Sequence, residues 1–172
     1  MGNKVSEIYK QTVGFLSSKS KRRLLLLGIL ALLALTEFFI LGLARRTFVF
    51  YTINDGVLVV EDRMLKHSGS REGDIIRYTE ETLLGPVAPG LLSLFPRETR
   101  LKSLLYRNGV VYADFSADAA LPPVEGGKTI DNFRTFYAGI LRNFSFVNDV
   151  RFFIEGNAIF TDEFLQRPLT VR

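Results

Sequence analysis

The sequence predicts an α+β fold carried behind one transmembrane helix. Three features of the 172-residue chain predict it: one long apolar run near the N-terminus, strand-forming runs joined by Gly-containing turns, and two helical apolar stripes set between those runs. The expected order is β-β-α-β-β-α-β, a small mixed sheet with helices packed on one face.

The apolar run comes first. Residues 24–43, LLLLGILALLALTEFFILGL, carry one charge, Glu37. At about 1.5 Å per residue they extend roughly 30 Å, the thickness of a bilayer's hydrocarbon layer. Ahead of them stand Lys4, Lys10, Lys19, Lys21, Arg22 and Arg23 against Glu7 alone, whereas Arg45 and Arg46 are the only bases between the run and Arg63. Basic flanks stay in the cytoplasm. The expected layout is therefore a basic cytoplasmic tail at 1–23, a transmembrane helix at 24–43, an extracytoplasmic (periplasmic) domain at 47–160 and a C-terminal tail at 161–172. Gly42-Leu43-Ala44 also offers small residues for signal cleavage after Ala44, but the run and its leader both exceed signal-peptide length, which favours a retained anchor. Glu37 stands where a carboxyl is costly. It is either a functional group contacting another membrane protein or a protonated or snorkelling side chain bonded near Thr36.

Charge by segment excludes one class of function. The net charge is +4, yet residues 45–172 hold sixteen basic and sixteen acidic side chains. Nucleic-acid binding needs a basic stripe on the folded domain and is not expected. The absence of cysteine excludes disulfides and zinc-thiolate sites.

Beyond the span, Phe48–Ile53 and Val57–Glu61 flank Asn54-Asp55-Gly56, a hairpin signal because Gly accepts the positive φ of a tight turn. Residues 101–106 and 110–115 flank Asn108-Gly109 in the same way, and Val150–Ile154 runs through Glu155-Gly156-Asn157 into Ala158-Ile159-Phe160. Alternation puts Val111, Ala113, Phe115, Val150, Phe152 and Ile154 on a buried face, with Tyr112, Asp114 and Arg151 on a wet one. Phe153 breaks the polar series and is a candidate exposed aromatic.

Two helices are expected. In 131–144, Phe133, Phe136, Tyr137, Ile140, Leu141 and Phe144 form a full stripe, with Thr129 or Asp131 as cap. Six such side chains, at roughly 1.5–3 kcal/mol each when buried, make this the helix that covers the sheet. A weaker stripe, Ile75, Ile76, Thr79, Leu83 and Leu84, runs from Gly73 to Leu84, where Gly85-Pro86 stops it. Residues 66–72 read as a solvated loop. In the following LLGPVAPGLLSLFP stretch, Leu91, Leu92, Leu94 and Phe95 are expected to make a short turn under the sheet edge, ended by Pro96.

These segments resemble the GerM (GerMN, sporulation and germination) domain family. The resemblance rests on Leu83-Leu84-Gly85-Pro86, then Leu91, Pro96 and Thr99, then Asp114-Phe115-Ser116, then Val147, Val150, Phe152, Ile154 and Gly156, and it covers about residues 48–160 in a single copy. It implies a small α+β domain, similar to ring-building motifs, that assembles or stabilises complexes in the bacterial cell envelope. It carries over no catalytic residue. Asp114, Ser116 and Pro86 match motif positions and are read as structural.

Catalytic constellations are sparse. His67 is the only histidine, is flanked by Lys66 and Ser68 with no local carboxylate to orient it, and is read as solvated. Transition-metal sites rarely use carboxylates alone, so no metal or cofactor is expected. Among the paired acids Glu61-Asp62, Glu80-Glu81, Asp114 with Asp118, and Asp162-Glu163, only Asp114 and Asp118 lie at a strand end where the two carboxyls of a cell-wall hydrolase are plausible. Gly126-Gly127-Lys128-Thr129 lacks the first glycine of a phosphate loop, since Pro122 stands there. Asn143-Phe144-Ser145 is formally a glycosylation sequon but belongs to the helix.

The expected function is a non-enzymatic, membrane-anchored interaction module. Its contacts are expected on the wet sheet face (Tyr112, Arg151, Phe153), on loops 66–72 and 87–96 (Leu91, Leu92), or on an exposed edge strand joining a copy of itself. The expected partners are the cytoplasmic membrane and envelope proteins or a second copy, close to peptidoglycan. The alternatives are a peptidoglycan hydrolase using Asp114 and Asp118, and a membrane-complex subunit acting through Glu37.

Overall fold

The computed structural model describes residues 19–53, 56–123 and 128–160, with the side chains of 37–41 outside that description. Most of the basic tail, the Asn54-Asp55 turn, Gly126-Gly127, Asp162-Glu163 and the 161–172 tail lie outside the described residues. The chain divides into two units, 1–42 and 43–172.

In the first unit, helix α1 covers Lys19–Leu41. Its leucines are exposed on every side, Leu24, Leu27, Leu30 and Leu33 among them. Among the described residues, no helix is long and apolar enough to cross a membrane.

The second unit is α+β, built on two sheets where one was expected. Strand β1 (Leu43–Thr52) begins before Phe48 and pairs antiparallel with β2 (Leu58–Lys66), Leu43 opposite Lys66 and Tyr51 opposite Leu58. Helix α2 (Arg71–Leu84) follows, then β3 (Leu91–Leu92), which pairs with β1 and completes the sheet β2-β1-β3. The second sheet, β4-β5-β6-β7, takes β4 (Leu101–Arg107), β5 (Val110–Phe115), β6 (Asp149–Ile154) and β7 (Asn157–Ile159). It is mixed, because β5 and β6 run parallel and their crossover is supplied by helix α3 (Thr129–Asn143).

The sheets stay apart because α2 packs against β4 and satisfies its edge. Glu72 on α2 accepts the amide N–H of Tyr106 at 2.8 Å, a group that a neighbouring strand would otherwise bond. The two-residue turns close as their sequences require: Asn108 and Gly109 both take positive φ (51° and 82°), as do Glu155 and Gly156 (51° and 78°).

Helix α3 buries Phe133, Phe136, Tyr137, Ile140 and Phe144 as its stripe predicts, with Leu141 partly buried. Its cap is Lys128 rather than Thr129 or Asp131 and contributes no side-chain bond; its carbonyl accepts from Asp131 and Asn132 instead. Helix α2 corrects the expected face. It buries Asp74, Ile75, Tyr78, Thr79 and Thr82, while Leu84 points outward. The threonines tolerate burial because each hydroxyl donates to a carbonyl one turn back, Thr79 to Ile75 and Thr82 to Tyr78, both at 2.8 Å.

The core lies where both helices meet the inner faces of the two sheets. Phe48 of β1 stacks on Tyr78 at 4.6 Å between centroids, Tyr78 faces Phe136, and Phe136 faces Phe152 of β6. The expected turn at 91–95 is instead β3 followed by two core residues, Leu94 and Phe95, with Phe95 edge-on to Phe133 at 5.0 Å. Packing, not local propensity, sets that segment.

Candidate functional site

The outer face of the second sheet brings together the residues expected there. Tyr112 and Arg151 are direct neighbours across β5 and β6, and the Tyr112 and Phe153 rings lie 6.5 Å apart. Phe153 is half-buried rather than exposed. Leu105, 52% exposed, stands opposite Tyr112 on β4 and extends the same row. Sequence reading missed it because Leu104-Leu105 hides the alternation: Leu104 packs on the core and Leu105 does not.

Leu91 and Leu92 do not join this face. They sit in β3, in the other sheet, and are partly buried. Glu37 lies in α1, and its side chain is outside the described residues.

The end of α2 and the loop after it carry the most exposed apolar pair in the domain's described residues, Leu84 at 78% and Val87 at 79%. Their backbone is tightly held. Gly85 takes φ 85° and ψ −174°, a region open to glycine, and a Cβ there would strike Ser93. The Arg63 guanidinium, only 11% exposed, reaches the loop from β2: it donates to the Gly85 carbonyl at 2.7 Å, to the Glu81 carboxylate at 3.0 Å and to Glu61 at 2.6 Å. Glu61 in turn accepts the amides of Val87 and Ala88 at 3.2 and 3.0 Å. Burial works to raise the Glu61 pKa, but the Ala88 amide, Arg63 and the Val87 amide together hold it below the ordinary carboxylate value. Arg63 also lies over the Phe48 ring at 4.7 Å. A loop with two large exposed apolar groups is thereby fixed to the sheet by charge-assisted hydrogen bonds.

The expected loop 66–72 shortens to 67–70, since Lys66 ends β2 and Arg71 begins α2; His67 is exposed as expected, but a carboxylate does stand beside it. Asp74, one turn inside α2, is 2.7 Å from His67 Nδ1 through one oxygen and accepts the Ser68 amide and hydroxyl at 2.7 and 2.9 Å through the other. Ser70 caps the helix by accepting from Gly73. The carboxylate was missed because it is local only once the helix forms. Ser68 bonds Asp74 rather than His67, so no serine–histidine–aspartate relay is assembled. The hollow beside it, lined by Arg46, Lys66, His67, Asp74 and Arg77, is too shallow to enclose a water molecule.

The acid pair is engaged in local structure. Asp114 accepts the Gly156 amide at 3.0 Å, which ties β5 to the turn after β6, and Asp118 accepts the Ser116 hydroxyl at 3.1 Å within the turn after β5. Among the described residues, no group of three or more His, Asp or Glu side chains gathers as a metal site. The amide of Asn143, in the formal sequon, is consumed: it accepts the Thr47 N–H at 2.8 Å and donates to the Thr47 and Gly139 carbonyls at 2.7 and 2.8 Å.

The family model described as "Germane: Sporulation and spore germination" matches residues 49–160. Among solved structures, the tandem GerMN domains of the sporulation protein GerM from Bacillus subtilis are similar at 18% identity and a TM-score of 0.52, covering 67% of this chain and 40% of that one. The first GerMN domain of the same protein is similar at 20% identity and a TM-score of 0.49, covering 67% and 86%. A putative lipoprotein from Clostridium perfringens is similar at 17% identity and a TM-score of 0.44, covering 67% and 77%. No curated protein matches the chain. The chain thus spans less than half the length of the tandem-domain structure.

Proposed function

The chain belongs to the Germane family of sporulation and spore germination domains, and from that premise we propose that it is a non-enzymatic assembly module, one GerMN-like domain held at the cytoplasmic membrane and facing outward. The observation that carries this reading is the fixed apex of Leu84 and Val87. Exposed leucine and valine add nothing to the core, yet Arg63 and Glu61 hold their backbone rigid, and preorganised apolar groups lower the ordering cost of binding. Its partners are envelope proteins or further copies of itself.

We place the anchor in residues 24–41, ahead of β1. Helix α1 is apolar all round over Leu24–Leu35, as a lipid-facing helix is, and the sequence continues the run through Phe38, Phe39 and Ile40 to Leu41. Basic residues before it favour an N-terminus in the cytoplasm.

The test is photo-crosslinking in cells from position 87 in the full chain, followed by native electrophoresis. Adducts lost in a Val87→Asp variant of unchanged melting temperature are expected. A strictly monomeric protein that captures nothing from this position or from Tyr112 would sink the proposal.

A further inference from the structure

Strand edges expose unpaired N–H and C=O groups, and soluble folds blunt them. Among the described residues, three edges of this domain are blunted. On β4 there is an irregularity between Leu101 and Ser103, Lys102 stands at it, and Glu72 takes the Tyr106 amide. The β7 edge is three residues long. On the first sheet, β3 has two residues, and the Asn143 amide occupies both backbone groups of Thr47 on the neighbouring stretch of β1.

Strand β2 is treated differently. It is nine residues long, regular and free of proline, and among the described residues it pairs on one side only, with β1. Because Thr47 sends its N–H and C=O away from β2, Thr47 and Asp62 form a non-hydrogen-bonded pair. The backbone groups of Leu58, Val60, Asp62 and Met64 therefore point out of the sheet. Lys66 points the same way, and its carbonyl takes Arg77. Beside this edge Val60 and Met64 are 54% and 58% exposed.

The strand is also complementary to itself. In LVVEDRMLK, antiparallel pairing about Asp62 sets Val60 against Met64 of a second copy, Val59 against Leu65 and Leu58 against Lys66, while Glu61 and Arg63 stay on the clamp of their own chain. The central pair of Asp62 carboxylates is neutralised by Arg45, 2.6 Å from Asp62 in each copy. We infer that β2 is the self-association edge, joining two copies of this chain by antiparallel strand addition into one six-stranded sheet. This deepens the assembly reading above and rests on it.

The chain has no cysteine, so single cysteines report cleanly. Directly opposed residues in a hydrogen-bonded antiparallel pair have Cα atoms about 5.5 Å apart, inside the range of about 4.4–6.8 Å for a disulfide. In the purified full chain, kept in mild detergent, Asp62→Cys should oxidise to a disulfide dimer while Lys102→Cys, more exposed on β4, stays monomeric. Light scattering of the unmodified chain should give a dimer mass. Val60→Pro, which removes an outward N–H and leaves the bonds to β1, should halve that mass. Val60→Lys should do the same should proline disturb the strand. Equal crosslinking at 62 and 102, a mass unchanged by both Val60 variants, or a 62–62 disulfide that forms only after deletion of residues 161–172 overturns the inference. The last result makes the chain's own tail the occupant. A monomer that still yields adducts from position 87 overturns this inference alone and leaves the assembly proposal standing.

Discussion

Arg63 governs the exposed apex through the Gly85 carbonyl, the Glu81 and Glu61 carboxylates and the Phe48 ring, and its low exposure makes its loss expensive. Arg63→Ala leaves Glu61 partly buried without its cation and is expected to lower stability by about 3 kcal/mol in urea unfolding. Leu84→Ser and Val87→Ser, on either side of the carbonyl that Arg63 holds, should change stability by less than about 0.5 kcal/mol, because neither side chain is buried. Glu61 gives the clamp a pH signature. Its folded pKa lies below the 4.5 of the unfolded group, so its stabilisation is complete above that value and is lost as pH falls through the folded pKa. Urea midpoints measured across the acid range should fall more gently in Glu61→Gln than in the unmodified chain. None of this network was legible in the sequence beyond the Gly85-Pro86 stop, because Arg63 stands 22 residues before the carbonyl it holds.

At the scale of elements, α3 is tied to β1 and to α2 at two close approaches. Asn143 acts as a one-residue strand against Thr47, so Asn143→Ala strands the Thr47 N–H and leaves its carbonyl only the Tyr78 hydroxyl at 3.3 Å, which should cost about 2 kcal/mol by thermal or urea unfolding. Gly139 faces the Tyr78 hydroxyl. An added Cβ would meet that oxygen well inside contact distance, while the ring carbon beneath it is 3.5 Å away. Gly139→Ala should therefore destabilise the protein by about 1–2 kcal/mol. In a Tyr78→Phe background the same change should be neutral or gain up to about 1 kcal/mol, since alanine is the better helix former. A double-mutant cycle on the two positions measures the coupling. The α3 stripe was readable because six large apolar residues repeat at helical spacing. The α2 face was not, because Tyr78 and Thr82 became interior only through hydrogen bonds that composition does not display.

For the whole molecule, the proposed topology predicts that a C-terminal reporter active only outside the cytoplasm will be active, and a cytoplasm-only reporter silent. Shortening the run by deleting Leu24–Leu27 should reduce membrane retention of the full chain, measured by fractionation. Glu37→Leu separates a role for the helix from one for the domain, because it should spare adducts at position 87.

What the sequence determined by itself was local. Hairpin turns at Asn108-Gly109 and Glu155-Gly156, the α3 stripe, the buried alternation of β5 and β6, and the family resemblance all depend on residues near one another in the chain, where spacing alone fixes geometry. Tertiary structure decided what depends on distant partners: the division into two sheets, which needed Glu72 to take the edge amide of β4; the use of Leu91–Phe95 as strand and core; and the pairing of His67 with Asp74. It also decided which strand edge stays open. Edges are defined by the absence of a neighbour, and only the assembled sheet reveals that β2 has none on its outer side among the described residues.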